Sequence, residues 1–320
     1  HRATRDIDRY LAMDIGTVDL GMVGATKYGP LTVEVVDPVD AYASLMEELF
    51  DFDLISGLFE SGFTMRFDAM HAVTGPYAME ILHRRLGAPA EWILNASPLP
   101  DFGGGHPDPN PVDAKDLVSQ MASDRAPDFA AASDGDGDRN MILGPGLVVS
   151  PGDSLAVIAA NAALAPGYRD GLAGVARSMP TSRAVDAVAA ELDIPCYETP
   201  TGWRFFCNLL EDGRIDLCGE ESFGTGSSHV REKDGLWAVL LWLNILAMRG
   251  MSVRDILQDH WRRYGRNYYS RHDYEAIDSA AATELMDALN DALPGLAGQE
   301  TAAGQITAAE AFSYHDPVDG

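Results

Sequence analysis

The sequence predicts an α/β chain: two consecutive α/β units, followed by the start of a further α+β unit. Three observations carry this. Strand-like and helix-like segments alternate from residue 33 to about residue 265, the order that builds sheets covered by helices. Several strands run straight into polar loops, the place where open α/β sheets bind ligands. The composition, 46% hydrophobic and 22% charged over 320 residues, is that of a globular protein long enough for two or three cores.

Residues 1–32 open with a helical stretch, Asp6 to Met13, then lose periodicity through several glycines and read as the tail of a preceding unit. Val33 to Val36 is a strand signal, and Asp37-Pro38 gives an N-cap with proline at the first helical position. That helix runs through Ala41, Leu45, Met46 and Leu49. Phe63 to Asp68 alternates as a half-buried strand does. A helix begins at Gly75-Pro76 and ends at Gly87. Trp92 to Leu94 is a short strand, 103–110 is too rich in Gly and Pro for regular structure, and Asp113 to Ala122 is helical. The first unit spans 33–150.

The second, 151–265, opens on Ser150-Pro151-Gly152-Asp153, a capping signal ahead of a helix through Val157 and Ile158. Strands follow at Gly174 to Ala176, up to Glu198, and at Ile215 to Leu217, with a helix through Phe206 and Leu210 between the last two. Leu236 to Met248 is too short to cross a bilayer and reads as a buried helix. Ser252 caps another helix, to about Tyr264. Residues 266–320 read as a linker, a helix around Thr283 to Leu293 and a terminal strand.

Charge and cysteine usage narrow the function. A formal net charge of −26 argues against nucleic acid, yet local Arg, Lys and metal can still bind a small phosphorylated substrate. Lys27, Lys115 and Lys233 are the only lysines, against twenty arginines, so a lysine inside a motif stands out. Three cysteines without a Cys-x-x-Cys pair point to a reduced, cytoplasmic compartment. No signal peptide and no membrane span are read, and a start at His1 with a turn-like end fits a piece of something longer.

The chain's most informative stretch is Phe129 to Arg139, an apolar strand followed by Asp134, Asp136 and Asp138 with glycine between them. Carboxylates that close repel one another. A divalent cation removes that cost, and hard oxygen ligands suit Mg²⁺. Arg139 adds a planar donor for phosphate or carboxylate. An EF-hand is excluded, because its sixth and twelfth positions, Gly and Glu, are here Arg139 and Pro145. A haloacid-dehalogenase-like phosphatase with Asp134 as nucleophile, and a solvated acidic turn, both stay open at this point.

Four phrases taken together are specific: Asp134-Gly-Asp-Gly-Asp-Arg139, Thr199-Pro-Thr-Gly-Trp203, Gly219-Glu-Glu-Ser-Phe-Gly224 and Arg231-Glu-Lys-Asp-Gly235. In this order and spacing the chain resembles the α-D-phosphohexomutase superfamily over nearly its whole length. The flanks at 68–71, 106–110 and 177–182 look similar too, and Phe223 resembles the glucose-handling branch. The resemblance implies mixed-sheet domains of the phosphohexomutase type, here the second and third of four. It implies a metal site at Asp134, Asp136 and Asp138, phosphate contact by Arg139, and sugar recognition by Glu220 and Ser222. Thr201 and Gly202 form a second sugar-facing loop, and Lys233 grips phosphate or helps move a proton. Arg271 is a weaker match, at the hinge to the fourth domain. The implied reaction interconverts glucose 1-phosphate and glucose 6-phosphate through a phosphoserine and glucose 1,6-bisphosphate with Mg²⁺, in a monomer or weak dimer whose only partners are hexose phosphates.

Physical chemistry agrees with these roles. A carboxylate beside a hydroxyl offers a sugar both acceptor and donor, and metal, Arg and Lys stabilise charge on a transferring phosphoryl group. Glu221 reads as a structural partner, and Trp203 and Trp237 as core aromatics. The departures are as informative. The family's Thr-Ala-Ser-His-Asn-Pro phrase, which carries its nucleophilic serine, is absent, as is its Ser-Gly-Thr-Gly phosphate loop. Ser133 lies in a strand and is no substitute. Arg204 and Ser228 stand where relatives often have Lys and Asp. The span alone is therefore expected to bind metal and sugar phosphate without turnover; a non-catalytic binding protein derived from a mutase remains the other class.

Overall fold

A computed structural model describes residues 17–269 and 276–320 of the chain. The expected helix Asp6 to Met13, and Arg271, lie outside the described residues. The chain first forms a hairpin, β1 (Gly24–Tyr28) and β2 (Leu31–Val35), turning at the positive-φ Gly29. Sequence periodicity missed β1 because no face of this exposed pair is buried.

In α1 (Pro38–Leu49) the Asp37 carboxylate accepts from Val39 N and Pro38 stands in the first turn, as its sequence dictates. A second helix, α2 (Phe52–Glu60), is capped by Asp51 and buries Ile55 and Phe59. The helix expected from Gly75 begins at Thr74 as α3 (Thr74–Ala78) and widens into a π-helical stretch, Met79–Arg85, before Gly87 ends it at positive φ.

The first sheet is ordered β4-β3-β5-β6-β7 and is mixed. Strands β3 (Met65–Asp68), β4 (Ile93–Leu94) and β5 (Phe129–Ser133) are parallel, while β6 (Asn140–Gly144) and β7 (Leu147–Val148) return antiparallel. Helix α4 (Lys115–Met121) covers one side. The second sheet, β11-β10-β8-β9, repeats the plan. Here β8 (Val175–Ser178), β9 (Cys196–Thr199) and β10 (Leu217–Gly219) are parallel and β11 (Thr225–Ser227) turns back. Helices α5 (Pro151–Asn161), α6 (Ala184–Leu192) and α7 (Trp203–Glu211) flank it.

The two sheets share a core. Helix α8 (Gly235–Arg249) buries every residue from Gly235 to Leu246, and one apolar cluster runs from Met46 and Phe67 through Leu240 and Trp242 to Val185. At ~25 cal/mol per Å² of apolar area, a helix apolar on all sides is stable only between two partners, which is why the units pack as neighbours. Helix α9 (Val253–Tyr264), capped by Ser252, completes this body. Among the described residues no single helix is long and apolar enough to cross a membrane. Beyond it lie α10 (Ser279–Ala292) and a small hairpin, β12 (Glu300–Thr301) and β13 (Gly304–Gln305), where a single strand was expected.

Candidate functional site

The acidic loop leaves the carboxyl end of β5 and returns as β6. Gly137 permits the reversal, because its φ is +84° and a Cβ there would come within 2.8 Å of Thr74 Cγ2. Asp134, 1% exposed, is held by Arg139, whose Nε donates to Oδ2 at 2.7 Å and whose backbone N donates to Oδ1 at 3.0 Å. Arg139 Nη1 also donates to Asp108 Oδ1 at 2.9 Å. Burial works against the guanidinium's charge, but its bond to Asp134 and the charges of Asp134, Asp108 and Asp138 outweigh burial and raise its pKa. Asp136 is exposed and Asp138 half-buried, and the three loop carboxylates offer oxygens within 4.8 Å of one another.

That geometry fits a hard divalent cation. Three oxygen ligands converge, the outermost, Asp136, has no ion pair among the described residues, and the open side leaves room for water. It does not fit a phospho-aspartate enzyme, whose nucleophilic oxygen must reach phosphorus, because both oxygens of the buried Asp134 accept from Arg139; each still keeps a second lone pair that a cation can use. His106, Asp108 and Asp113 form a second cluster, with ligand atoms also within 4.8 Å. Sequence reasoning missed that Asp108 holds Arg139; the only signal was its place in the His106-to-Asn110 phrase.

In the second unit, the turn after β10 closes with Glu220 N donating to Gly224 O at 2.8 Å and with Phe223 at φ 67°. Glu220 Oε1 accepts from Gly202 N at 3.2 Å, and Ser222 Oγ reaches Oε2 at 3.5 Å. Gly202, at φ 129°, stands at the cap of α7, and Thr201 before it is exposed. Glu221 is buried and accepts a hydrogen bond from the Tyr269 phenol, whose pKa is pushed up by burial first and by Glu221 second. Trp237 is fully buried, a core aromatic as expected, whereas Trp203 is half-buried, packs edge-on against Phe206 at 5.2 Å and has Lys233 Nζ 5.9 Å from its ring centre. Ser228 donates to Asp216 Oδ1 at 3.0 Å, and Arg204 lies 4.5 Å over the Phe205 ring. Ser133 Oγ is buried and unpaired.

The two loops meet. Arg139 and Gly224 form an antiparallel bridge, Asn140 donates from N and Nδ2 to Phe223 O at 3.0 and 3.2 Å, and Gly235 N donates to Gly137 O at 3.0 Å. Lys233 spans the junction, with Nζ 2.7 Å from Asp138 Oδ2 and 3.7 Å from Glu220 Oε2. Burial disfavours its charge, but Asp138, Glu220 and Glu232 more than compensate and raise its pKa. The sequence-predicted residues Asp134, Asp136, Asp138, Arg139, Gly202, Glu220, Ser222 and Lys233 are therefore brought together at one junction, and the exposed Thr201 adjoins Gly202 there.

The chain matches known families along most of its length. Family models for phosphoglucomutase/phosphomannomutase α/β/α domain II and domain III match residues 40–146 and 151–264, and a model for the phosphoglucomutase-1 C-terminal domain matches 266–320. The chain belongs to this family. It is 60% identical to a phosphoglucomutase of Rhizobium radiobacter, over 98% of this chain and 58% of that protein. It is 50% identical to human phosphoglucomutase-1, over 99% of this chain and 59% of that protein. The open form of a Paramecium phosphoglucomutase, parafusin, superposes with a TM-score of 0.86 at 50% identity, covering 94% of this chain and 55% of that one. The chain thus spans little more than half the length of the family members it matches. A Thermus thermophilus protein at 24% identity shares the fold, with a TM-score of 0.64 over 72% of this chain and 52% of that one.

Proposed function

We propose that the full-length protein is a phosphoglucomutase, interconverting glucose 1-phosphate and glucose 6-phosphate through a phosphoserine and glucose 1,6-bisphosphate with Mg²⁺. The phosphoserine lies outside this sequence. Within it, 33–150 is the metal-binding unit, 151–265 the sugar-binding unit and 266–320 the start of a C-terminal domain. One observation carries the reading: Lys233 reaches Asp138 of the acidic loop and Glu220 of the hexose turn at once.

Asp134, Asp136 and Asp138 hold the metal, which when bound supplies charge to the transferring phosphoryl group. Arg139 orients Asp134 and presents its remaining edge to phosphate. Glu220 accepts hydrogen bonds from the sugar hydroxyls, and Ser222, exposed at the tip of the turn, can donate or accept. Gly202 N keeps Glu220 aimed at the cleft, while Thr201 faces the sugar from the opposite loop. Lys233 meets the substrate phosphate and is the group best placed to help move a proton. The setting proposed is cytoplasmic, which the free Cys196, Cys207 and Cys218 support, with the protein a monomer or weak dimer.

The purified 320-residue span tests the division of labour. It should bind Mg²⁺ and glucose 1-phosphate yet give no glucose 6-phosphate in a coupled assay. Turnover by the span would show that a phosphoryl carrier lies inside it.

A further inference from the structure

The turn that presents Lys233 runs from Ser227, the end of β11, to Asp234, the cap of α8. Its outer residues, Val230 to Glu232, are exposed, and Arg231 holds a positive φ of 58°. Such a turn has little reason to keep one shape unless its ends are fixed. The end at Asp234 is fixed on every side. Its backbone N donates to Thr225 O at 2.9 Å, and its carboxylate accepts from Trp237 N at 2.9 Å. The same carboxylate accepts from the Tyr42 hydroxyl, at 2.7 and 2.9 Å, which reaches across from α1 of the first unit.

The remaining partner is His229. Its side chain is 1% exposed, stacked on Trp237 at 5.2 Å, with Nε2 2.9 Å from Asp234 Oδ2 and Nδ1 2.5 Å from Ser227 Oγ. Ser227 Oγ lies 2.7 Å from Tyr168 Oη, which accepts from Trp237 Nε1 at 2.9 Å. The donors run one way. An indole N–H can only donate and a carboxylate can only accept. With Trp237 donating to Tyr168, Tyr168 to Ser227, Ser227 to Nδ1, and Nε2–H to Asp234, every donor along the chain meets an acceptor. Placing the proton on Nδ1 would turn the Nε2 lone pair against the carboxylate.

We propose that His229 is a positioning residue for Lys233: the buried chain from Trp237 through His229 clamps Asp234 across the turn and fixes where the ammonium stands between the metal loop and the hexose loop. This rests on the role of Lys233 proposed above. His229 touches no substrate. Its effect is geometric, since Lys233 precedes the clamped residue directly and its backbone pairs with Gly226. A displacement of about 1 Å at such a group costs on the order of 100-fold in rate.

The test uses the full-length enzyme with Mg²⁺ and glucose 1-phosphate. His229→Leu removes both ring nitrogens; His229→Gln keeps one amide donor in reach of Asp234. His229→Leu is expected to lower kcat by about 10- to 100-fold with KM within about threefold, and His229→Gln to recover most of the loss. If His229→Leu does not fold, Ser227→Ala, which removes the Nδ1 donor together with the acceptor of Tyr168 and of His229 N, is read in the same way. A variant whose thermal midpoint falls while kcat per folded molecule stays within about twofold of wild type overturns the proposal. Should the wild type itself show no turnover, the mutase reading has failed instead. The positioning claim is then decided by NMR of ¹³C-methylated lysines, with the Lys233 resonance assigned by Lys233→Arg. A resonance shifted in His229→Leu and restored in His229→Gln supports it, and one unchanged in both overturns it.

Discussion

The acidic loop and the turn from Gly219 to Gly224 occupy the same place in their respective sheets. Each follows a buried parallel strand, β5 or β10, and each returns through an antiparallel one, β6 or β11. They are held in opposite ways. The first is electrostatic: Asp134 and Asp138 are held by Arg139 and Lys233, with Asp108 behind, and Asp136 stands outermost without an ion pair among the described residues. The second is steric: its closing Gly224 has Lys233 Cδ 2.5 Å from where a Cβ would stand, and a Cβ at Gly226 would come within 2.7 Å of Trp203 Cη2. A loop of like charges tolerates many neighbours but needs counter-charge. The second has no room for a side chain at Gly224 or Gly226. Joined along the bridge from Arg139 to Gly224, they place a cation-hungry wall beside a shape-selective one.

The seam is the place to break this pairing. Gly235→Ala would drive a Cβ into the Arg139 carbonyl, which is backbone and cannot swing aside. The expected cost is about 2–3 kcal/mol, read as a lower urea midpoint at unchanged m-value. An unchanged midpoint would mean that the two loops touch loosely.

How much of this the sequence revealed depends on the range of the interaction. Caps are local, and Asp37, Ser150 and Ser252 stand at their helix starts as the sequence implies. The acidic loop is also local, since alternation of Asp and Gly after a buried strand is visible in eleven residues. Strand β6 was missed because its five residues pair with β5 by turning back, and nothing within Asn140 to Gly144 encodes that return. Helix α2 was missed because its cap, Asp51, stands only two residues after the end of α1 at Leu49, and because it carries Gly57. The contact of Lys233 with Asp138 and that of Tyr42 with Asp234 link residues far apart in sequence, so spacing could not supply them. The resemblance put Lys233 in the cleft; the bond that places it there is a product of the fold.

A smaller effect separates the two walls by pH. Lys233 is raised by its carboxylate partners, so in the folded state it holds its proton to higher pH than in the unfolded chain. Its stabilising contribution is complete below the ordinary lysine value of about 10.4 and is lost as pH rises through the higher folded value. Urea midpoints of Lys233→Met should therefore fall less steeply than wild type in that alkaline range. Parallel profiles would mean that the ammonium is not held by Asp138.

The central claim is that one cleft is built from both loops, and binding linkage reads it directly. Glucose 1-phosphate is titrated into the full-length protein by calorimetry, with and without Mg²⁺, in wild type and in Asp136→Asn. Mg²⁺ is expected to tighten sugar-phosphate binding by about tenfold or more, a coupling of about 1.4 kcal/mol, and Asp136→Asn to abolish that gain while leaving the metal-free affinity in place. Equal affinity with and without Mg²⁺ in the wild type would contradict a shared cleft.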